Sequence, residues 1–291
     1  MTPEKTLRLE SGNSISYFEG GTRHGLPVLF LHGNGFSKEV FQNQFKAPEL
    51  QAYNLIALDL PGQGASGHAR NPKDTYSYVG FASEILNFLK LRGVKPAVIV
   101  GWSLGGHVAL ELTEETSSVA GVFAFGAPPT SNGALGLVRG MRFCRMLMLA
   151  GKSRFTDEEA VYFESAALGE FANGEFVKAL QNADPEMRIN LSRNLLLSKG
   201  VSQYNRLLRA KVPVCLLHGN QDPLVRTPYM ESLHAPMLAG GRVITFDNAG
   251  HAPFLESEFR FNELLSNFCQ SVIEQKSLEV PVDQWKIPEA A

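Results

Sequence analysis

Six residues, Gly101-Trp102-Ser103-Leu104-Gly105-Gly106, constrain this chain more than any others. Pro96-Ala97-Val98-Ile99-Val100 precedes them, an apolar run of strand length rich in β-branched residues. His107-Val108-Ala109-Leu110-Glu111-Leu112 follows and continues as a helix. Strand, sharp turn and helix, with serine at the turn, form the context of a G-x-S-x-G nucleophile elbow. The turn strains the serine backbone, so its packed neighbours must be small, and Gly101, Gly105 and Gly106 meet that need. The helix N-terminus behind the serine offers unpaired N–H groups and the positive end of a dipole. A plain βα turn would use the same serine only as a helix cap. What separates the two readings is a base elsewhere in the chain and a third group to orient it.

The length of 291 residues suits one large α/β domain with an insertion. Lys plus Arg total 27 and Asp plus Glu 29, and the net charge of -2 argues against a nucleic-acid binder or a dedicated membrane-surface protein. Cys144, Cys215 and Cys269 are widely spaced, with neither a metal-ligand pattern nor a disulfide framework, so no metal is expected and the compartment reads as reducing and cytoplasmic. Met1 to Lys5 open no apolar signal region, and no apolar run reaches the length of a membrane span.

Along the chain, Leu7–Leu9 and Ile15–Phe18 read as an edge hairpin. Pro27–Leu31 and Asn54–Leu58 are continuous apolar runs, as in parallel strands covered on both faces. The first ends in His32-Gly33-Asn34-Gly35, where the N–H of Asn34 is placed to meet an oxyanion. The second runs into Asp59-Leu60-Pro61-Gly62-Gln63-Gly64-Ala65-Ser66, in which Asp59 reads as a loop-fixing residue. Ser77 to Arg92 has helical spacing and stops at Gly93. Gly121–Phe125 is the next strand. Strands and helices alternate to this point, which predicts a parallel sheet with helices on both faces.

From about Thr130 to Arg209 only helical patterns appear. Met141, Met146, Met148, Met187 and several aromatic residues, Phe143 among them, give this stretch an adaptable apolar wall, suited to a helical lid over an acyl group. Arg139, Arg142 and Arg145, three apart, read as a solvated face of the first lid helix. The α/β rhythm resumes at Val212–Leu217, followed by Asp222 in a loop, and Arg242–Phe246, followed by His251. A final helix runs from Glu258 to about Ile273. The expected organisation is a core of residues 1–129 and 210–276, a lid of 130–209, and a surface tail of 277–291.

Ser103, Asp222 and His251 thus each follow a predicted strand, in the order Ser…Asp…His expected for a triad on such a sheet. Asp247, at the end of its strand, is the main rival for the acid. His32 reads as an organiser of its loop, and His107 lies within the elbow helix. The backbone N–H groups of Leu104 and Asn34 are the expected oxyanion donors.

On these residues the chain resembles the α/β-hydrolase superfamily over nearly its whole length. Within that group, His32-Gly33-Asn34, Gly101 to His107, Gly126-Ala127-Pro128-Pro129 and Asn248 to Phe254 resemble the α/β-hydrolase type of N-acyl-homoserine lactonase. The resemblance implies a serine hydrolase with no cofactor, acting on a small ester or lactone with an apolar acyl part. It also implies a substrate-holding lid tyrosine, corresponding to Tyr162, and a glutamate where this chain has Asp222. Tyr162, Trp102, Met141 and Phe143 are accordingly the expected substrate contacts. A general carboxylesterase, or a ligand receptor on the same fold with slow turnover, stands as the alternative.

Overall fold

The computed structural model describes residues 2–94, 96–131, 133–197 and 202–275. The expected tail of 277–291 lies outside them. Eight strands form one sheet: β1 (Lys5–Arg8), β2 (Ser14–Gly21), β3 (Pro27–Leu31), β4 (Asn54–Leu58), β5 (Ala97–Trp102), β6 (Val119–Phe125), β7 (Val214–Gly219) and β8 (Ile244–Phe246). Their order is β1-β2-β4-β3-β5-β6-β7-β8. β1 and β2 pair antiparallel, as does β2 with β4, and every pairing from β4 to β8 is parallel. The elbow strand β5 is therefore central, and the loops carrying Asp222 and His251 leave β7 and β8 at the same sheet edge.

Side chains alternate across a strand, so a strand buried on both faces feeds two cores. In β3, Val28 and Phe30 join one core, whose outer wall includes Phe254, Phe261 and Phe268. Leu29 and Leu31 join the other, packed under Phe81, Ile85, Phe88 and Val108. The helix Tyr78–Arg92 begins where Ser77 accepts the N–H of Gly80 and ends at Gly93, φ 59°. The final helix runs Glu258–Glu274.

Between β6 and β7 the described residues hold the helices Gly133–Gly140, Arg145–Leu149, Asp157–Leu168, Val177–Asn182, Pro185–Leu196 and Gln203–Leu208. Arg139, Arg142 and Arg145 do not share one helix. The first helix stops at Gly140, Met141 forms an isolated antiparallel bridge with Val225, and the next helix starts at Arg145. Hydrogen bonding to the β7 loop overrides helical spacing here.

Buried histidines tie the layers together. His32 receives the N–H of Leu60 on Nε2 at 3.0 Å and meets the Gly33 carbonyl through Nδ1 at 2.8 Å. His107 meets Gln203 Oε1 at 2.8 Å and stacks on Tyr78 at 4.7 Å. Burial pushes His107 down to about 4. With the folded value below the ordinary 6.5, the unfolded chain binds more protons between those limits. The stability tied to neutral His107 is complete above pH 6.5 and is lost as pH falls toward 4, by about 3 kcal/mol. Urea unfolding should therefore show a midpoint that drops between pH 7 and 4.5, with a shallower drop in His107→Gln. Equal drops in the two proteins would contradict this assignment.

Candidate active site

Ser103 has φ 53° and ψ -114°, a backbone conformation that L-residues rarely adopt. Hydrogen bonds over-determine it. Its N–H donates to the Phe125 carbonyl at 2.9 Å, its carbonyl accepts the N–H of His107 at 3.0 Å, and Gly105 N–H donates to His32 at 3.1 Å. The glycines are there for space. A Cβ on Gly101 would stand 2.2 Å from the Gly105 carbonyl, and one on Gly105 would stand 2.1 Å from that of Leu31.

His251 Nδ1 lies 2.7 Å from Asp222 Oδ2, and both side chains are buried. The other oxygen, Oδ1, accepts the N–H groups of Leu224 at 2.7 Å and Val225 at 3.0 Å. Burial alone would raise the Asp222 pKa. The charge and hydrogen bond of His251, with the two amide donors, outweigh it and hold the carboxyl below the ordinary aspartate value. An ionised Asp222 fixes the proton of His251 on Nδ1, leaving Nε2 as a lone-pair acceptor. Among the described residues that Nε2 is buried without a hydrogen-bond partner. Trp102 Nε1 donates to the His251 carbonyl at 2.7 Å, and Gly126 leaves room for the ring, since a Cβ there would lie 3.0 Å from Cε1.

The competing residues are occupied elsewhere. Asp247 accepts a hydrogen bond from Asn220 in an exposed pair. Asp59 accepts from the N–H and Nζ of Lys38 and the N–H of Ala65, and so pins its loop.

A cavity of about 210 Å³ opens over Ser103, with Asn34, Leu104 and Gly126 on the core side. Leu104 is the first residue of the elbow helix, so its N–H has no acceptor within that helix. Met141, Met146, Leu147, Phe163 and Leu195 wall the opposite side. Of the four expected substrate contacts, Met141 lines this cavity. Trp102 is fully buried beneath it, packed on Phe36 and Phe254. Phe143 is 82% exposed and faces outward, because the helix breaks at Gly140 and Met141 pairs with Val225. Tyr162 sits outside the cavity under the Arg145 guanidinium, 4.2 Å from its ring centroid. The next residue of that helix, Phe163, faces the cavity instead.

Sequence reasoning missed Arg188. It is fully buried, and no carboxylate pairs with it among the described residues. Its Nε donates to Asn34 Oδ1 at 3.1 Å, one Nη donates to the Leu180 carbonyl at 2.8 Å, and the guanidinium stacks over Phe155 at 4.0 Å. Burial pushes it down to about 10. Its position three before Leu191 and one after Met187 was the available signal, since helical spacing puts it on the apolar face. Asn34 Nδ2 also donates to the Ala150 carbonyl at 3.0 Å. One side chain beside Ser103 thus joins two of the inserted helical segments.

A model of the alpha/beta hydrolase family matches residues 28–264. The chain belongs to that family. It is 24% identical to AB hydrolase superfamily protein YisY of Bacillus subtilis (strain 168) over 90% of this chain and 98% of that protein. It is 27% identical to a pimeloyl-[acyl-carrier protein] methyl ester esterase of Neisseria meningitidis over 86% of this chain and 78% of the relative. Among solved structures, a serine-to-glycine variant of N-acyl homoserine lactonase AidH, complexed with N-hexanoyl homoserine lactone, superposes with a TM-score of 0.89 at 26% identity, covering 94% of this chain and 99% of that one. AidH complexed with N-butanoyl homoserine gives 0.88 at 27%, covering 93% and 97%.

Asn34→Ala removes a buried hydrogen bond from a charged donor and a partly buried one to the Ala150 carbonyl, and leaves Arg188 Nε without that acceptor. Denaturant unfolding should register a loss of about 3 kcal/mol. A loss within error of zero would show that Asn34 does not join the layers.

Proposed function

We propose that this ester-hydrolysing enzyme is an N-acyl-homoserine lactonase working through Ser103, His251 and Asp222. The observation that carries the reading is the likeness to AidH in complex with a lactone and with a homoserine, at TM-scores of 0.89 and 0.88 over nearly the whole chain. The buried His251–Asp222 pair and the strained Ser103 backbone support the serine mechanism.

Ser103 Oγ attacks the lactone carbonyl while His251 Nε2 takes its proton. Asp222 holds the imidazole tautomer and stabilises the imidazolium. The N–H groups of Leu104 and Asn34 receive the developing oxyanion, and their placement before reaction spares reorganisation during it. His251 returns its proton to the ring oxygen, which leaves as an alcohol still tethered to the acyl-enzyme. Water, deprotonated by His251, then cleaves the ester to Ser103. The sum is lactone plus water giving one ring-opened acid. Residues 130–209 act as the lid, whose methionines and leucines receive the acyl chain.

Multiple-turnover assay of N-hexanoyl homoserine lactone should give a single product heavier by one water. Ser103→Ala should lower kcat by about 10⁴-fold or more, because the triad works as a unit. Asp222→Asn should lower it by about 10⁴-fold with the fold intact, by releasing the tautomer. A lactone that survives while acyl methyl esters turn over would replace this reading with that of an open-chain carboxylesterase, for which the Neisseria relative is the precedent. Near-normal turnover in Ser103→Ala would remove the serine mechanism altogether.

A further inference from the structure

The near-balance of charge over the whole chain conceals a long stretch of one sign. From Thr116 to Thr156 there is no aspartate or glutamate, whereas Arg139, Arg142, Arg145, Lys152 and Arg154 all carry positive charge. All five of these side chains are exposed. Large apolar side chains stand among them with little cover: Leu135 is 85% exposed, Phe143 82%, Val138 57% and Met148 56%. They belong to the helices Gly133–Gly140 and Arg145–Leu149 and the turn between them. The inner side of the same segment presents Met141 and Met146 to the cavity over Ser103. It is apolar on both sides, and basic only on the outer one.

We infer that the outer face of residues 133–154 is a docking surface for anionic lipid. Isolated apolar side chains projecting between arginines suit the boundary between headgroups and acyl chains, where the apolar groups enter and the guanidiniums remain at the anionic surface. Charge complementarity selects this occupant over a second copy. Lys152 is paired with Glu159, and a two-fold contact through this face would set Arg139, Arg142, Arg145 and Arg154, none with a carboxylate partner among the described residues, against their own copies. A protein partner would have to be acidic and also shaped to enclose Leu135 and Phe143, whereas lipid needs no such fit. Docking of this kind is attachment to one face only, and no described helix is long and apolar enough to cross a membrane. It would bring the wall of the cavity against the phase into which an acylated substrate partitions.

Two contacts guide the choice of variants. Arg142 Nε donates to the Val225 carbonyl beside the Asp222 loop, so Arg142 is left intact. Arg139 and Arg145 are exposed, Arg145 over Tyr162, and Leu135 and Phe143 make no part of the cavity wall.

The test is co-sedimentation of the full chain with vesicles of phosphatidylcholine alone and of phosphatidylcholine mixed with phosphatidylglycerol, at low and raised salt. The protein should pellet with the mixed vesicles at low salt and stay in solution with the neutral ones. Arg139→Gln with Arg145→Gln should weaken partition roughly 30-fold, at about 1 kcal/mol for each arginine near an anionic surface. Leu135→Ser with Phe143→Ser should abolish pelleting at unchanged charge. Both pairs should retain the circular dichroism spectrum of the parent. Failure to pellet with anionic vesicles overturns the inference, as does equal partition of the arginine pair and the parent. Binding that survives Leu135→Ser with Phe143→Ser and is displaced by polyglutamate would assign the face to an acidic polypeptide instead. Vesicle binding needs no turnover, so its failure is distinguishable from failure of the lactonase reading.

Discussion

The hydrogen bond between His251 and Asp222, 2.7 Å long and buried, is the contact on which the arrangement of the site depends. A buried carboxylate persists as an anion only where donors surround it. Here the donors are the His251 ring and the backbone amides of Leu224 and Val225. The same two residues face the other way with their carbonyls. Arg142 donates its N–H to Leu224 at 2.7 Å and its Nε to Val225 at 3.3 Å, and Arg226 N–H returns a bond to Gly140 at 2.9 Å. The Leu224–Val225 pair that holds the acid through its amides therefore also holds the inserted segment through its carbonyls, and the peptide group between the two residues serves both. A displacement of that segment would be felt at Asp222, and through it at His251.

Asn34 makes the corresponding link on the opposite side of Ser103. Its side chain binds Ala150 and Arg188, while its backbone turns beside the elbow. Arg188 carries a charge with no paired carboxylate among the described residues, and it is stabilised by carbonyl acceptors and the face of Phe155. Such a group is costly to bury, so its place against Asn34 is more than packing. The proposed lid is thus tied to the core at the loop of Asp222 and at that of Asn34, the proposed acid and oxyanion donor, where small shifts would alter catalysis most.

Local chemistry made much of this legible in the sequence. Buried parallel strands are short apolar runs, and β3 and β4 follow theirs residue for residue. The helix ending at Gly93 carries its own cap signals at both ends. The pairing of Asp222 with His251 and the sharp turn at Ser103 could be read because each residue follows a strand of one sheet, and that topology brings the strand ends together. Asp59 and His32 were legible as loop organisers for the same reason. The inserted helices were not legible in detail, because spacing within a helix says nothing of which neighbour it meets. Phe143 looked like part of an apolar wall and faces outward, since the Met141–Val225 bridge breaks the helix before it. Trp102 supports His251 from below instead of lining the cavity. Spacing with Met187 and Leu191 puts Arg188 on an apolar helix face, but its partners were not legible, because Asn34 and Leu180 come from separate segments.

The central claim is that Ser103 is the single nucleophile made reactive by the His251–Asp222 pair. Brief treatment with a fluorophosphonate, followed by intact-mass analysis and peptide mapping, tests it most directly. The account predicts one adduct per chain, on Ser103, forming far more slowly in Asp222→Asn. An adduct on another residue, or labelling of Ser103 at an equal rate in Asp222→Asn, would contradict it.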